Sequence, residues 1–238
     1  MRPSAVHLVA HRAGNDPATA RAALERADLV EFDVHVLAGR VEVRHAKVAR
    51  PTRRLWEKWY LLPRGARGLP IAEALAAIGP DVALLVDLKC FTVRAARRIG
   101  DALPADRELV VSARSWWVLR AFRDRPRTVA LRSCGNRAQL RVVGLVPGLG
   151  LATGVAAHER LLDAAVASRL RRRTPHLFSW GVATVARGRE LAALGVNGLI
   201  VDDLSLDWRS LDRPRGDRRP CGPGGKDERA RRAGGRYG

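Results

Sequence analysis

Short apolar runs recur along this chain with helix-like runs between them, and their order limits the fold more than any other feature. Apolar runs and alternations predict strands at Val6 to His11, Leu29 to Leu37, Val82 to Lys89, Glu108 to Ala113, Thr128 to Ser133, Leu149 to Thr153, Leu177 to Thr184 and Gly198 to Val201. Helical spacing predicts helices over Ala18 to Ala27, Ile71 to Ile78, Val93 to Leu103, Trp116 to Arg123, Ala138 to Val143, His158 to Arg171 and Arg187 to Leu194. One strand per helix, roughly eight times in about two hundred residues, is the size and order of a TIM-type (β/α)8 barrel of the α/β class. An open doubly wound sheet is the competing arrangement. No glycine-rich dinucleotide or P-loop signature follows the first strand, and polar residues end several different strands, so the barrel is expected for residues 1–204. A further run at Val41 to His45, joined to the second strand by the turn Ala38 to Arg40, predicts an extra β-hairpin after strand 2.

With 238 residues, 47% of them hydrophobic, the chain can bury a sizeable single core. From about Ser205 the composition turns to Arg, Gly, Pro and Asp, as in RPRGDRRPCGPGGKDERARRAGGRYG. Residues 205–238 are therefore expected to form a disordered basic tail, too poor in apolar surface to order itself. A solvated extension is favoured over a specific nucleic-acid or lipid role for it. No apolar stretch is long enough to cross a bilayer and no secretory signal opens the chain, which predicts a cytoplasmic protein. Cys90, Cys134 and Cys221 are too scattered for disulfides or a zinc site, in keeping with a reducing compartment. The net charge of +19 invites a nucleic-acid-binding reading, but arginine far exceeds lysine beside abundant alanine, glycine and valine, a skew that high-GC coding produces without selection for binding. A basic surface would still steer anionic substrates or membranes toward the protein.

The stretch LVEFDVHVLAGRVEVRH, Leu29 to His45, carries the chemistry. Strand alternation puts Leu29, Glu31, Asp33 and His35 on one face and Val30, Phe32, Val34 and Val36 on the other. Acids in such a buried strand need something to neutralise them. In a barrel, the ends of separate strands meet at one mouth, so His11 with Arg12, Glu31 with Asp33, His45, and Asp87 with Lys89 could converge there. Three carboxylates make a hard oxygen site for Mg²⁺ or Ca²⁺. Two histidines supply an acid and a base near neutral pH, and Arg12 and Lys89 supply positive charge for a phosphate. The competing account of Asp87 and Lys89 is a structural ion pair plugging the barrel.

These motifs, AHRAGND at Ala10 to Asp16, VEFDVHVLAGRVEVRHAK at Val30 to Lys47, VDLK at Val86 to Lys89 and SWGVATVARGRELAALGVNGLIVDD at Ser179 to Asp203, resemble in order and spacing those of the glycerophosphodiester phosphodiesterases. The resemblance runs up to the tail. It implies a β/α barrel that uses a divalent metal to hydrolyse glycerophosphodiesters to an alcohol and glycerol phosphate. It implies further that His11 and His45 are the acid and base pair, that Glu31, Asp33 and Asp87 are metal ligands, that Arg12 and Lys89 bind phosphate, and that Trp180 lines the substrate pocket. The chain departs from the family pattern at several points. Ala13 stands for the glycine after His-Arg, Asn15 to Thr19 replace a Pro-Glu-Asn-Thr signature, Ala46 follows His45 where an Asp is usual, and Asp87 replaces a glutamate. The insertion over about Ala49 to Leu69 is short, which would leave the pocket open.

Other residues carry weaker signals. His35 lines the pocket or packs in the core, while His7, His158 and His176 read as structural or surface residues. Trp116 and Trp117 line the mouth or cap a helix. Trp56, Trp59 and Tyr60, beside Arg53, Arg54 and Lys58, read as a lid over the barrel or as a surface for lipid headgroups. The expected partner is a small phosphodiester, with peripheral membrane contact as an addition and no specific nucleic acid. Two alternatives remain beside the hydrolase: a catalytically impaired relative that binds a phosphorylated ligand, and a lysophospholipase D-like lipid phosphodiesterase.

Overall fold

The computed structural model describes residues 6–49, 54–57, 60–63, 65–145, 154–208 and 211. Eight parallel strands close into a ring: β1 (His7–Ala10), β2 (Leu29–Leu37), β8 (Ala83–Leu88), β9 (Leu109–Ala113), β10 (Thr128–Cys134), β11 (Gly154–His158), β12 (His176–Val182) and β13 (Gly198–Val201). Closure comes from β1, which pairs with β13 on one side and with β2 on the other. The helices α1 (Pro17–Ala23), α2 (Ile71–Ile78), α3 (Val93–Asp101), α4 (Arg137–Leu145), α5 (Ala164–Arg171) and α6 (Val185–Ala193) stand between successive strands. This is the TIM-type barrel that the alternation of elements predicts.

The expected hairpin is present. Strand β3 (Arg40–Val43) returns antiparallel to β2 around Ala38 and Gly39 and also pairs with β7 (Leu69–Pro70). Between them a separate antiparallel sheet forms from β4 (Lys47–Ala49), β5 (Arg54–Glu57) and β6 (Tyr60–Leu61), where sequence reading expects only a loop.

One apolar residue from each barrel strand fills the interior: Val9, Leu29, Leu85, Val110, Leu131, Ala156, Phe178 and Ile200. Gly198 belongs to this packing, because a Cβ there would come within 2.4 Å of the Phe178 ring. The opposite faces of the strands, including Val30, Phe32 and Val34, pack outward against the helices. The helices start where the sequence supplies caps: the Asp16, Thr92, Asp163 and Thr184 side chains each accept the N–H three residues on.

Three elements differ from expectation. The strand expected at Leu149 to Thr153 lies outside the described residues, and the sixth barrel strand is Gly154–His158. His158 therefore ends a strand instead of opening a helix, and the helix begins at its Asp163 cap. Trp116–Phe122 winds as a 3-10 helix. Past residue 204, where the tail is expected to begin, Trp208 and Leu211 are buried, Trp208 against Gly188. Residues 212–238, Cys221, Trp59, Arg53 and Lys58 lie outside the described residues. Cys90 and Cys134 are free and buried, and among the described residues no helix is long and apolar enough to cross a membrane.

Candidate active site

On every barrel strand the residue two places beyond the apolar filler faces the mouth. It is His11, Glu31, Asp87, Ser112, Ser133, His158, Trp180 or Asp202, and Asp33 follows Glu31 on the same face. The alternation that buries Leu29 and Leu85 thus delivers the acids to one place. Single oxygens of Glu31, Asp33 and Asp87 lie within 4.8 Å of one another.

Glu31 is buried and accepts the backbone N–H of Arg12. Arg12 holds that N–H in place with a left-handed φ of 53°, a conformation that costs a side-chain-bearing residue about 1 kcal/mol or more. The next residues turn tightly against β2, and a Cβ on Gly14 would meet the Phe32 Cβ at 2.9 Å. Asp33 is gripped by Asn15, whose amide donates to its carboxylate at 2.8 Å while the Asn15 carbonyl accepts the Asp33 N–H at 2.9 Å. Lys89 bridges two acids, lying 2.8 Å from Asp33 Oδ1 and bonded to Asp87 Oδ2. Ser112 donates to Asp87 Oδ1 at 2.8 Å.

Burial, reinforced by the charges of Asp33 and Asp87, pushes the Glu31 carboxyl well above the usual carboxylate range. Burial acts in the same direction on Asp33, but Lys89 and the Asn15 bond outweigh it and hold that acid below its ordinary value. The Lys89 ammonium is itself desolvated, yet Asp87 and Asp33 hold its proton more tightly than usual. The three acids thus exceed the cations that touch them. Glu31 is left as the member that keeps a proton or gives it up to a cation, and an all-oxygen donor set of this kind fits a hard divalent ion.

Two imidazoles stand close by, and His45 feels the charges of Asp33, Lys89 and His11. His11 Nδ1 is 2.6 Å from Asp202 Oδ1, which fixes its tautomer and its ring. Arg12 Nη2 donates to His45 Nε2 at 2.7 Å, and its Nε lies 3.6 Å from Asp33 Oδ2. Burial, only partly opposed by Asp33, depresses the His45 imidazole, and Arg12 adds to the effect. The neighbouring Arg44 N–H donates to the Asp33 carbonyl at 2.9 Å, which ties the end of β3 to β2. His35 is buried behind these groups and pushed down to about 4, by burial first and Lys89 second. It is neutral.

The structure thus joins Arg12, Glu31, Asp33, His45, Asp87 and Lys89 in one network at the barrel mouth, and His11, bonded to Asp202, stands next to Arg12 in the chain. Trp180 lies two residues before the end of β12 at the same mouth and meets His158 edge-on, with ring centroids 4.4 Å apart. Trp116 donates to the Ser133 carbonyl, and Trp117 is exposed. Sequence reading assigns no role to Asp202, Asn15 or Ser112 and takes His158 as a structural or surface residue, whereas it ends a barrel strand against Trp180. The signal for three of these was present, since Asp202, Ser112 and His158 each stand two residues past an apolar filler. Nothing local marks Asn15 as the clamp on Asp33.

No protein-family model matches the sequence, and no curated protein does. Solved structures do match in fold. A phosphodiesterase from Oleispira antarctica, in complex with the product sn-glycerol-3-phosphate, is 16% identical with a TM-score of 0.61, over 83% of this chain and 93% of that one. Glycerophosphodiester phosphodiesterases from Thermotoga maritima (16% identity, TM-score 0.59, 84% and 95% covered) and Agrobacterium tumefaciens (17%, 0.60, 84% and 97%) are similar. At these identities the likeness establishes the shared barrel.

Proposed function

We propose that the chain is a metal-dependent phosphodiester hydrolase that cleaves glycerophosphodiesters to an alcohol and glycerol phosphate. The observation that carries this reading is the grouping of Glu31, Asp33 and Asp87 within 4.8 Å, with Arg12 bonded to both Glu31 and His45, at the mouth of a barrel shared with glycerophosphodiester phosphodiesterases. A phosphodiesterase of the same fold is in complex with sn-glycerol-3-phosphate as its product.

In this reading Arg12 and Lys89 bind the phosphate oxygens and offset the charge that grows on them in the transition state. Arg12, half-exposed, leaves His45 Nε2 as it takes up the phosphate. The freed nitrogen of neutral His45 accepts the proton of the attacking hydroxyl, either water, which gives glycerol phosphate directly, or the substrate's own glycerol hydroxyl, which gives a cyclic phosphate that water then opens. His11, held on Asp202, returns a proton to the departing alcohol oxygen as its bond to phosphorus breaks. Glu31, Asp33 and Asp87 would hold a Mg²⁺ or Ca²⁺ ion, which would supply further positive charge for the phosphoryl oxygens. Trp180 lines the pocket for the small-molecule substrate. The reading places all of the chemistry in the barrel and none in the tail, and the free thiols of Cys90 and Cys134 agree with a cytoplasmic setting.

Turnover of glycerophosphocholine that chelator abolishes and Mg²⁺ or Ca²⁺ restores is the expected result. Unchanged turnover in both His11→Ala and His45→Ala would sink the assignment. A second reading, a ligand-binding relative without catalysis, draws on the Lys89 ammonium set between Asp33 and Asp87. It predicts phosphate binding in calorimetry with neither metal uptake nor turnover.

A further inference from the structure

The mouth is electrically lopsided. Strands β8, β9 and β10 are neighbours, so the connections that follow them form one arc of the rim. Across that arc, residues 89–98, 113–123 and 133–141 contain no Asp or Glu, while Arg94, Arg114 and Arg137 are exposed. The facing connections, after β11, β13 and β1, hold Glu159, Asp163, Asp202, Asp203 and Asp16.

The basic arc also carries exposed apolar rings. Phe91 and Trp117 are each 50% exposed, and they sit side by side because Trp117 Nε1 donates to the Phe91 carbonyl at 2.9 Å. That bond satisfies the one polar atom of the indole, so what the ring offers outward is apolar. A second exposed pair is Trp56 and Leu61, register partners on β5 and β6 and therefore on one face of the small sheet that follows β3. Large rings in water beside uncompensated arginines fit the boundary of an anionic bilayer, where the rings leave water and the guanidinium groups meet phosphates. Core packing accounts for neither the exposure of the rings nor the lack of acids.

We propose that this arc docks the barrel mouth on an anionic lipid surface, so that the substrate is drawn from membrane-resident phosphodiesters. The substrate half of this statement rests on the hydrolase reading, whereas the docking half does not.

Sedimentation of the full chain with vesicles tests it. Binding is expected to phosphatidylcholine vesicles that contain phosphatidylglycerol and not to phosphatidylcholine alone, and to weaken with salt. The double variant Phe91→Ser, Trp117→Ser should bind about ten-fold more weakly or worse, with hydrolysis of soluble glycerophosphocholine unchanged. Arg94→Ala with Arg114→Ala gives an independent check that leaves the rings in place, at about five-fold per arginine. Vesicle binding that both pairs of substitutions leave intact would mean that the basic tail carries it, and the proposal falls. Tighter binding to single-stranded RNA than to vesicles, weakened by the same substitutions, would make the arc a nucleic-acid surface and overturn the proposal equally. Turnover without vesicle binding removes the docking and spares the hydrolase. Vesicle binding without turnover does the reverse.

Discussion

Two layers of side chains cross the inside of this barrel, one pleat apart on the same strands. In the lower layer Val9, Leu29, Leu85, Val110, Leu131, Ala156, Phe178 and Ile200 touch one another, and nothing there can titrate. In the upper layer, two residues on, His11, Glu31, Asp87 and Asp202 stand with Lys89 and Arg12 in a web of charge. The lower layer lowers the free energy of the folded chain by excluding water. The upper layer concentrates charge, buried at Glu31 and open to water at Asp202, and its members answer mainly to one another. A step of two residues along a strand is enough to separate the two tasks.

The sharpest way to break this division is to remove His45. His45→Ala should lower turnover by roughly 10²- to 10⁴-fold while leaving the urea midpoint in place, since the ring is bonded to Arg12 and takes no part in the apolar layer. Next come two substitutions that should cost similar stability for different reasons. Phe178→Ala opens a cavity in the lower layer and should cost about 3–5 kcal/mol in urea unfolding, with or without metal. Lys89→Met leaves Asp33 and Asp87 without their shared cation and should cost about 3–5 kcal/mol in chelator, with part of it regained in Mg²⁺ or Ca²⁺. A Lys89→Met protein whose stability ignores metal would mean that the acids do not gather a cation. Asp202→Asn should cost about 10- to 100-fold in turnover, less than His11→Ala, because it disturbs the orientation of the ring without removing it.

The smallest effect belongs to the end of the barrel opposite the mouth. His176 is buried at the start of β12, and burial, with His7 next to it, holds its imidazole below the ordinary value. The unfolded chain therefore binds a proton there before the folded chain does, and stability falls as pH drops below the ordinary imidazole value. His176→Gln should flatten that part of the stability curve and leave turnover alone.

Much of this was legible from the period of the chain. Two-residue alternation put Glu31 and Asp33 on the face of Leu29, and the repeat of strands and helices specified the barrel. The bounds of the sixth strand were not legible, because the small residues of Gly154–His158 give a weak apolar signal and the helical spacing beyond them drew the predicted helix back to His158. The Asp163 cap is the better marker of where that helix starts. The bond of His11 to Asp202 spans nearly the whole chain and exists only because β1 and β13 close the ring, a contact that no local pattern encodes. Asn15 shows a different limit. Where the expected signature is missing, a side chain from a 3-10 turn performs the clamping of Asp33, and only tertiary geometry reveals it.

The bond between the Arg44 N–H and the Asp33 carbonyl has one more consequence. It sits one residue from His45, so a proposed metal ligand and a proposed base hang from adjoining rungs of one ladder. Thermal breathing of the hairpin then carries both together and preserves their spacing. Selection or engineering that shifts one of them for a bulkier ester must shift the other in step.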